Sequence, residues 1–200
     1  VFIRSMATRG SLGGLCRAAL DAVDVLDAAG YDLVIIETVG VGQDEVEVVR
    51  ASHTTLVVSA PGLGDDIQAI KAGILEIADI HVVSKCDKPD AQRTIADLKT
   101  MLMLDMPRDP NWMPPVVGTS GETGKGIDEL LKTIQTHRDY LHSSGRIQDR
   151  LRMIAESRIL KTAEELVRQR FVRHRADSFT DQVTQRQLSP YQAAQRLLGE

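Results

Sequence analysis

The chain predicts an α/β fold, a mainly parallel sheet flanked by helices, followed by a C-terminal helical arm. Three observations carry this. Short apolar, β-branched runs (Leu33 to Ile36, Thr55 to Ser59, Ile80 to Val83, Val116-Val117) recur along the sequence without the in/out alternation of a half-exposed strand. Between them lie segments whose apolar residues fall at helical spacing, the alternation that βαβ units require. After Arg146 the strand signal stops and one long, strongly charged helix begins.

Taken in order, Val1-Phe2-Ile3 reads as a strand already under way, with no initiator Met or leader before it, so the chain is expected to begin inside a larger protein. A polar, glycine-bearing loop, Ser5 to Gly14, follows. Leu15, Ala18, Ala19, Ala22, Val23, Leu26 and Ala29 then mark a helix, with Gly30 placed as its C-cap. The strand Leu33 to Ile36 leads to Glu37, and a second buried strand runs Thr55 to Ser59. Ile67, Ile70, Ile74 and Ile77 share a helix face ahead of the strand Ile80 to Val83. Ile95, Leu98 and Leu102 mark the next helix. A loop with Pro107, Pro110, Pro114 and Pro115 precedes Val116-Val117, and Ile127, Leu130, Leu131 and Ile134 form the helix after it. The character changes at Ser143-Ser144-Gly145, which divides the chain into residues 1–142 and 143–200. In the second part Ile147, Leu151, Ile154, Ile159, Ala163, Leu166 and Phe171 trace an apolar stripe. Its cover is either the sheet domain or, as favoured here, a second subunit. A short helix with Ser189-Pro190 at its first turn closes the chain.

Composition narrows the function. Hydrophobic content of 42% and charge of 26% are those of a globular protein. A net charge of −4 gives no general attraction to nucleic acid or to an anionic membrane. No apolar run is long enough to span a bilayer. Cys16 and Cys86 stand far apart without metal spacing, which suits a reducing, cytoplasmic setting. The five histidines (His53, His81, His137, His142, His174) show no zinc-type pairing. No Gly-x-Ser-x-Gly elbow occurs, which leaves serine-hydrolase chemistry unsupported.

The segment Tyr31 to Gln43 is the most informative. A carboxylate, Glu37, ends an apolar strand and is followed by Thr38, Gly40 and Gly42. An acid at the carboxyl end of a parallel strand sits in the crevice where such sheets bind ligands, able to orient a metal-bound water. A following glycine lets a backbone N–H approach a terminal phosphate. An ordinary strand–turn–helix corner capped by an acid has the same pattern. Ser84-Lys85-Cys86-Asp87, after another buried strand, occupies the place of the Asn-Lys-x-Asp of guanine-nucleotide proteins. There one carboxylate accepts from guanine N1–H and the 2-amino group together, with the Lys85 stem over the base. A solvated turn is the plain alternative. Thr119-Ser120-Gly121-Glu122 follows the last strand and reads either as a loop against the base carbonyl or as a glycine turn. Gly124-Lys125 suggests a P-loop but fails the pattern, since positions 119 and 126 hold Thr119 and Gly126. Asp65 and Asp66, in the loop from Pro61, read locally as helix N-caps.

Together these segments resemble a family of P-loop GTPases, the metallochaperone-like proteins that serve adenosylcobalamin-dependent acyl-CoA mutases, chiefly methylmalonyl-CoA mutase. They are also known as lysine/arginine/ornithine transport-system kinases. The matching residues are Phe2-Ile3-Arg4-Ser5 with Arg9-Gly10 and Leu12-Gly13-Gly14, then Glu37-Thr38-Val39-Gly40-Val41-Gly42-Gln43. Pro61-Gly62 with Gly64-Asp65, Gln68 to Lys71, Ala78-Asp79, and Ser189-Pro190 with Ala193-Ala194 and Leu197-Leu198 complete the set. The resemblance implies a P-loop-NTPase-type G-domain in residues 1–142, its P-loop lying upstream of Val1, and a dimerisation arm in 143–200. It further implies GTP hydrolysis to GDP with Mg²⁺, gating cobalamin loading and protecting the mutase. Glu37 would hold the Mg²⁺ through water and Gly40 would sense the γ-phosphate. Ser84, Lys85, Asp87, Thr119, Ser120 and Gly121 would bind the base. Gln43, Asp65, Asp66, Gln68 and Lys71 would form the switch facing the partner. The chain departs from the family in Ser84, where Asn is usual, and in Gly121, where Ala is usual. Without the P-loop, the 200-residue chain by itself is expected to be inactive. Two rivals are a kinase of a basic-amino-acid uptake system, against which Asp87 speaks, and an inert fragment that dimerises through 146–200.

Overall fold

Leu56–Ser59 (β1), Ile80–Val83 (β2) and Val116–Gly118 (β3) form one parallel sheet in the order β1–β2–β3. The computed structural model describes residues 1–6, 15, 17–38, 46–61, 74–104, 107, 109–173 and 177–199. The register sets Leu56 beside Ile80 and Ser59 beside Val83, then His81 beside Val116 and Val83 beside Gly118. The helices are Arg17–Ala28 (α1), Val46–Val49 (α2), Ile74–Ile77 (α3), Ala91–Leu104 (α4), Ile127–Ser143 (α5), Arg146–Arg173 (α6), Asp177–Thr184 (α7) and Pro190–Leu198 (α8). The chain divides into two compact units, Val1–Ile154 and Ala155–Glu200.

β2 is the centre of the first unit because helices cover both faces of it. All four of its residues are buried. Ile80 and Val82 meet Val117, Leu56, Leu130 and Ile134 on the α5 side. Val83 meets Cys86, Ala91, Leu98 and Ile95 on the α4 side. The expected α/β architecture is therefore present, and each fully buried aliphatic side chain contributes roughly 1.5–3 kcal/mol to it. Gly30 ends α1 as expected, with φ +82° and its N–H donating to Asp27 O at 2.9 Å.

Two expected strands differ. Residues 33–38 join no ladder, and Ile35 is 81% exposed. An apolar run becomes a doubly buried strand only with a strand beside it and helices above and below. Among the described residues nothing pairs with this run, nor with Val1-Phe2-Ile3. β1 is present, but Val58 is 62% exposed, because the described helices leave that side of the edge strand open. On α5 the buried face runs Leu130, Ile134, His137, Leu141, while Leu131 lies outside it and is exposed.

In the second unit, α8 is the short helix expected after Ser189-Pro190, and it starts with a capping box. Ser189 Oγ accepts from Gln192 N at 3.2 Å, and Gln192 Oε1 accepts from Ser189 N at 3.0 Å. Ala193 and Leu197 are buried. The stripe expected along α6 is two stripes. At roughly 100° per residue, Ile159, Ala163 and Leu166 lie about a third of a turn from Ile147, Leu151 and Ile154. Ile147 and Ile154 are half-buried, whereas Ile159, Leu166 and Phe171 are exposed.

Candidate functional site

β2 and β3 end side by side, so the loops after them meet at the carboxyl edge of the sheet, where α/β folds bind ligands. Backbone bonds knit the two loops together: Thr119 N donates to Val83 O at 2.8 Å, and Cys86 N to Thr119 O at 2.9 Å. Ser84 is tied back to β1, its N–H and its hydroxyl both donating to Ser59 O, at 2.8 and 2.9 Å. Lys85 adopts a left-handed φ of 52°, uncommon for a residue with a side chain. Its carbonyl accepts from Lys88 N at 2.9 Å, closing a tight turn. The Cys86 side chain drops into the core while Lys85 and Asp87 stay exposed.

The turn brings Asp87 to Ser120. Ser120 is fully buried, and its hydroxyl accepts from Thr123 N at 3.3 Å. The Ser120 hydroxyl first, then Asp87's own backbone N–H and the neighbouring Lys88, hold the exposed Asp87 carboxyl below its usual range. The Lys88 Nζ is 3.7 Å from Asp87 Oδ2. The result is an ionised, oriented and exposed acceptor. The Ser120 loop is closed by Ser120 N to Lys125 O and Gly124 N to Ser120 O, each 2.9 Å. Gly126, with φ +76°, then turns into α5 so close to β3 that an added Cβ would lie 1.9 Å from Gly118 O. No other residue fits there.

Six expected site residues, Ser84, Lys85, Asp87, Thr119, Ser120 and Gly121, are therefore gathered in one place. Glu37 is exposed at the end of the unpaired segment, and among the described residues no hydrogen bond or ion pair joins it to these loops. Gly40, Gln43, Asp65, Asp66, Gln68 and Lys71 lie outside the described residues.

The family model described as Methylmalonyl Co-A mutase-associated GTPase MeaB matches residues 1–176. The chain belongs to the MeaB family. A Pyrococcus abyssi protein that carries GTPase in its name is 45% identical over 206 residues, covering all of this chain and 64% of that protein. GTPase ArgK of Escherichia coli is 36% identical over 89% of this chain and 55% of its own length. The mitochondrial methylmalonic aciduria type A homolog of Mus musculus is 36% identical over 73% of this chain and 36% of its own. The chain thus spans less than two thirds of these relatives.

A second constellation of this MeaB-family chain escaped the sequence reading. It lies at the opposite, amino end of the strands. Asp79, just before β2, is buried, and its Oδ2 accepts from Thr55 N at 2.8 Å. Its Oδ1 meets Arg150 Nη2 at 2.7 Å and His137 Nε2 at 3.6 Å, and its carbonyl accepts from Trp112 Nε1 at 2.8 Å. His137 Nδ1 lies 2.9 Å from Thr54 Oγ1. The Trp112 ring packs against His137 and Tyr140, with centroids 4.7 and 5.1 Å away. Tyr140 donates to Asp109 Oδ2 at 2.8 Å, and Arg146 reaches Asp109 Oδ1 at 3.3 Å. Burial pushes the Asp109 carboxyl up, but the Asn111 N–H, the Tyr140 hydroxyl and Arg146 outweigh it and hold it low. Burial, with help from Arg150 and against Asp79, lowers His137. This cluster anchors the first two turns of α6 to the sheet. The advance signs were an acid, Asp79, directly before a buried strand and its place in the Ala78-Asp79 match to the family.

Among the described residues no group of three or more His, Cys, Asp or Glu could hold a metal, and no helix is long and apolar enough to cross a membrane.

Proposed function

We propose that the protein is a guanine-nucleotide-binding GTPase that gates loading of adenosylcobalamin into an acyl-CoA mutase and protects that mutase. The observation that carries the nucleotide part is the exposed Asp87 carboxylate, presented by the turn after β2 at the carboxyl edge of a parallel sheet and held low beside Ser120. Guanine offers two adjacent N–H donors to such a carboxylate and adenine offers no such pair. The mutase part is supported by membership in the MeaB family, whose description names methylmalonyl-CoA mutase.

Ser84, Lys85, Asp87, Thr119, Ser120 and Gly121 form the base site in this reading, within a G-domain of residues 1–142. Mg²⁺ that bridges nucleotide phosphates keeps most of its own water and needs no cage of carboxylates. A single exposed carboxylate suits that demand, and Glu37 is the residue assigned to the water shell. Gly40 is assigned to the γ-phosphate. Gln43, Asp65, Asp66, Gln68 and Lys71 are assigned to the switch facing the mutase, and residues 143–200 to a homodimerisation arm. Displacement of fluorescent GDP from the full-length gene product by GDP, GTP and ADP tests the nucleotide reading. Guanine nucleotides are expected to win by more than tenfold, and equal competition by ADP would refute it.

A further inference from the structure

We infer that this chain reads the guanine base without a contact to its N7 edge, because Ser84, the residue at the strand end beside Asp87, has no proton left to offer. This rests on the guanine-nucleotide reading above and adds which edges of the base are read. N7 of a purine is a bare acceptor, so only a donor can read it. A serine carries two donors, its backbone N–H and one hydroxyl hydrogen. Both are committed here, at 2.8 and 2.9 Å, to one acceptor, the Ser59 carbonyl. Neighbouring donors are committed as well: Cys86 N to Thr119 O, Thr119 N to Val83 O and Ser120 N to Lys125 O.

What the site does offer the base is the opposite chemistry, the Asp87 carboxylate, an exposed acceptor in the turn that follows β2. Purine selection therefore falls on the N1–H and 2-amino edge. Ser84 acts as a brace between β1 and the base loop and adds no base contact.

Competition against fluorescent GDP on the unmodified full-length gene product tests this, with 7-deazaguanosine diphosphate, inosine diphosphate and ADP as competitors. The first replaces N7 by C–H and the second lacks the 2-amino group. 7-Deazaguanosine diphosphate is expected to match GDP within about twofold. Inosine diphosphate is expected to bind about tenfold weaker or worse, the loss of one charge-assisted hydrogen bond. A drop of more than about fivefold for the 7-deaza nucleotide, with GDP still well ahead of ADP, overturns the N7 inference and leaves the guanine reading standing. Inosine diphosphate binding as well as GDP overturns the assignment of selection to the 2-amino edge. ADP competing as well as GDP overturns both readings.

Discussion

Arg150 Nη2 lies 2.7 Å from Asp79 Oδ1, joining the second turn of α6 to the residue that opens β2. Each side chain is about nine-tenths buried. Removing one partner strands the other charge away from water, which costs about 3–5 kcal/mol. Arg150→Ala and Asp79→Ala are each expected to lower the unfolding free energy measured in urea by that much. The double variant should cost far less than the sum. Additive losses in the double-mutant cycle would show that the pair is not coupled.

The same cluster makes stability depend on pH. His137 is held below its ordinary 6.5, chiefly by burial and then by Arg150. Its neutral form is the one the fold prefers, so its contribution is complete above 6.5. As pH falls through 6.5 towards the folded value, the unfolded chain takes up the proton first and the contribution is lost. Urea midpoints should therefore fall from pH 7.5 to 5.5, and His137→Gln should flatten the slope. His53, lowered in the same sense by burial, leaves a residual slope. An unchanged slope in His137→Gln would remove His137 from this role.

Gly126 combines a left-handed backbone with a Cβ position 1.9 Å from Gly118 O. Gly126→Ala must move β3 or the start of α5, at a cost on the order of 3 kcal/mol. GDP affinity should fall as well, since the Thr119–Gly121 loop hangs from that contact. Gly124→Ala is the control: its φ is also positive, but nothing lies within 4 Å of an added Cβ. Equal losses for the two variants would show that strain, not close approach, decides.

Asp87→Asn replaces half of the acceptor pair by a donor. Losing a charge-assisted bidentate contact should cost about 2–3 kcal/mol, or roughly 30- to 150-fold in GDP affinity, with xanthosine diphosphate favoured instead. Titration of the variant with both diphosphates decides it.

Leu151 and Leu166 are 43% and 57% exposed on α6. If the arm is a subunit interface, Leu151→Asp with Leu166→Asp should give monomers that still bind GDP. An unchanged dimer by sedimentation would take the α6 stripe out of the interface, and a monomeric unmodified protein would remove the dimer from the proposal.

Much of this was legible in the sequence because it is local. Ile80 to Val83 is apolar but for His81, and only a central strand buries four consecutive side chains. The Lys-x-Asp pattern after it marks a candidate base loop, with a solvated turn as the plain alternative. Leu33 to Ile36 has the same local pattern and misled, since pairing belongs to the neighbour and not to the run. Asp79 and Arg150 were illegible together because 71 residues separate them and each is an ordinary charge alone. Ser84 could be flagged as a substitution for Asn, but that both its donors end on Ser59 O is a fact of three dimensions.

β2 is also a ruler. Five residue steps part Asp79 from Ser84, about 16 Å of chain with the fully buried strand between them. Both ends are pinned, one by Thr55 N and Arg150, the other by Ser59 O. Deleting a single residue would leave one end unmoored and would turn His81 into the core now filled by Ile80 and Val82. Length changes inside β2 are therefore closed to this chain, and divergence in spacing among its relatives has to be absorbed in the loops on either side.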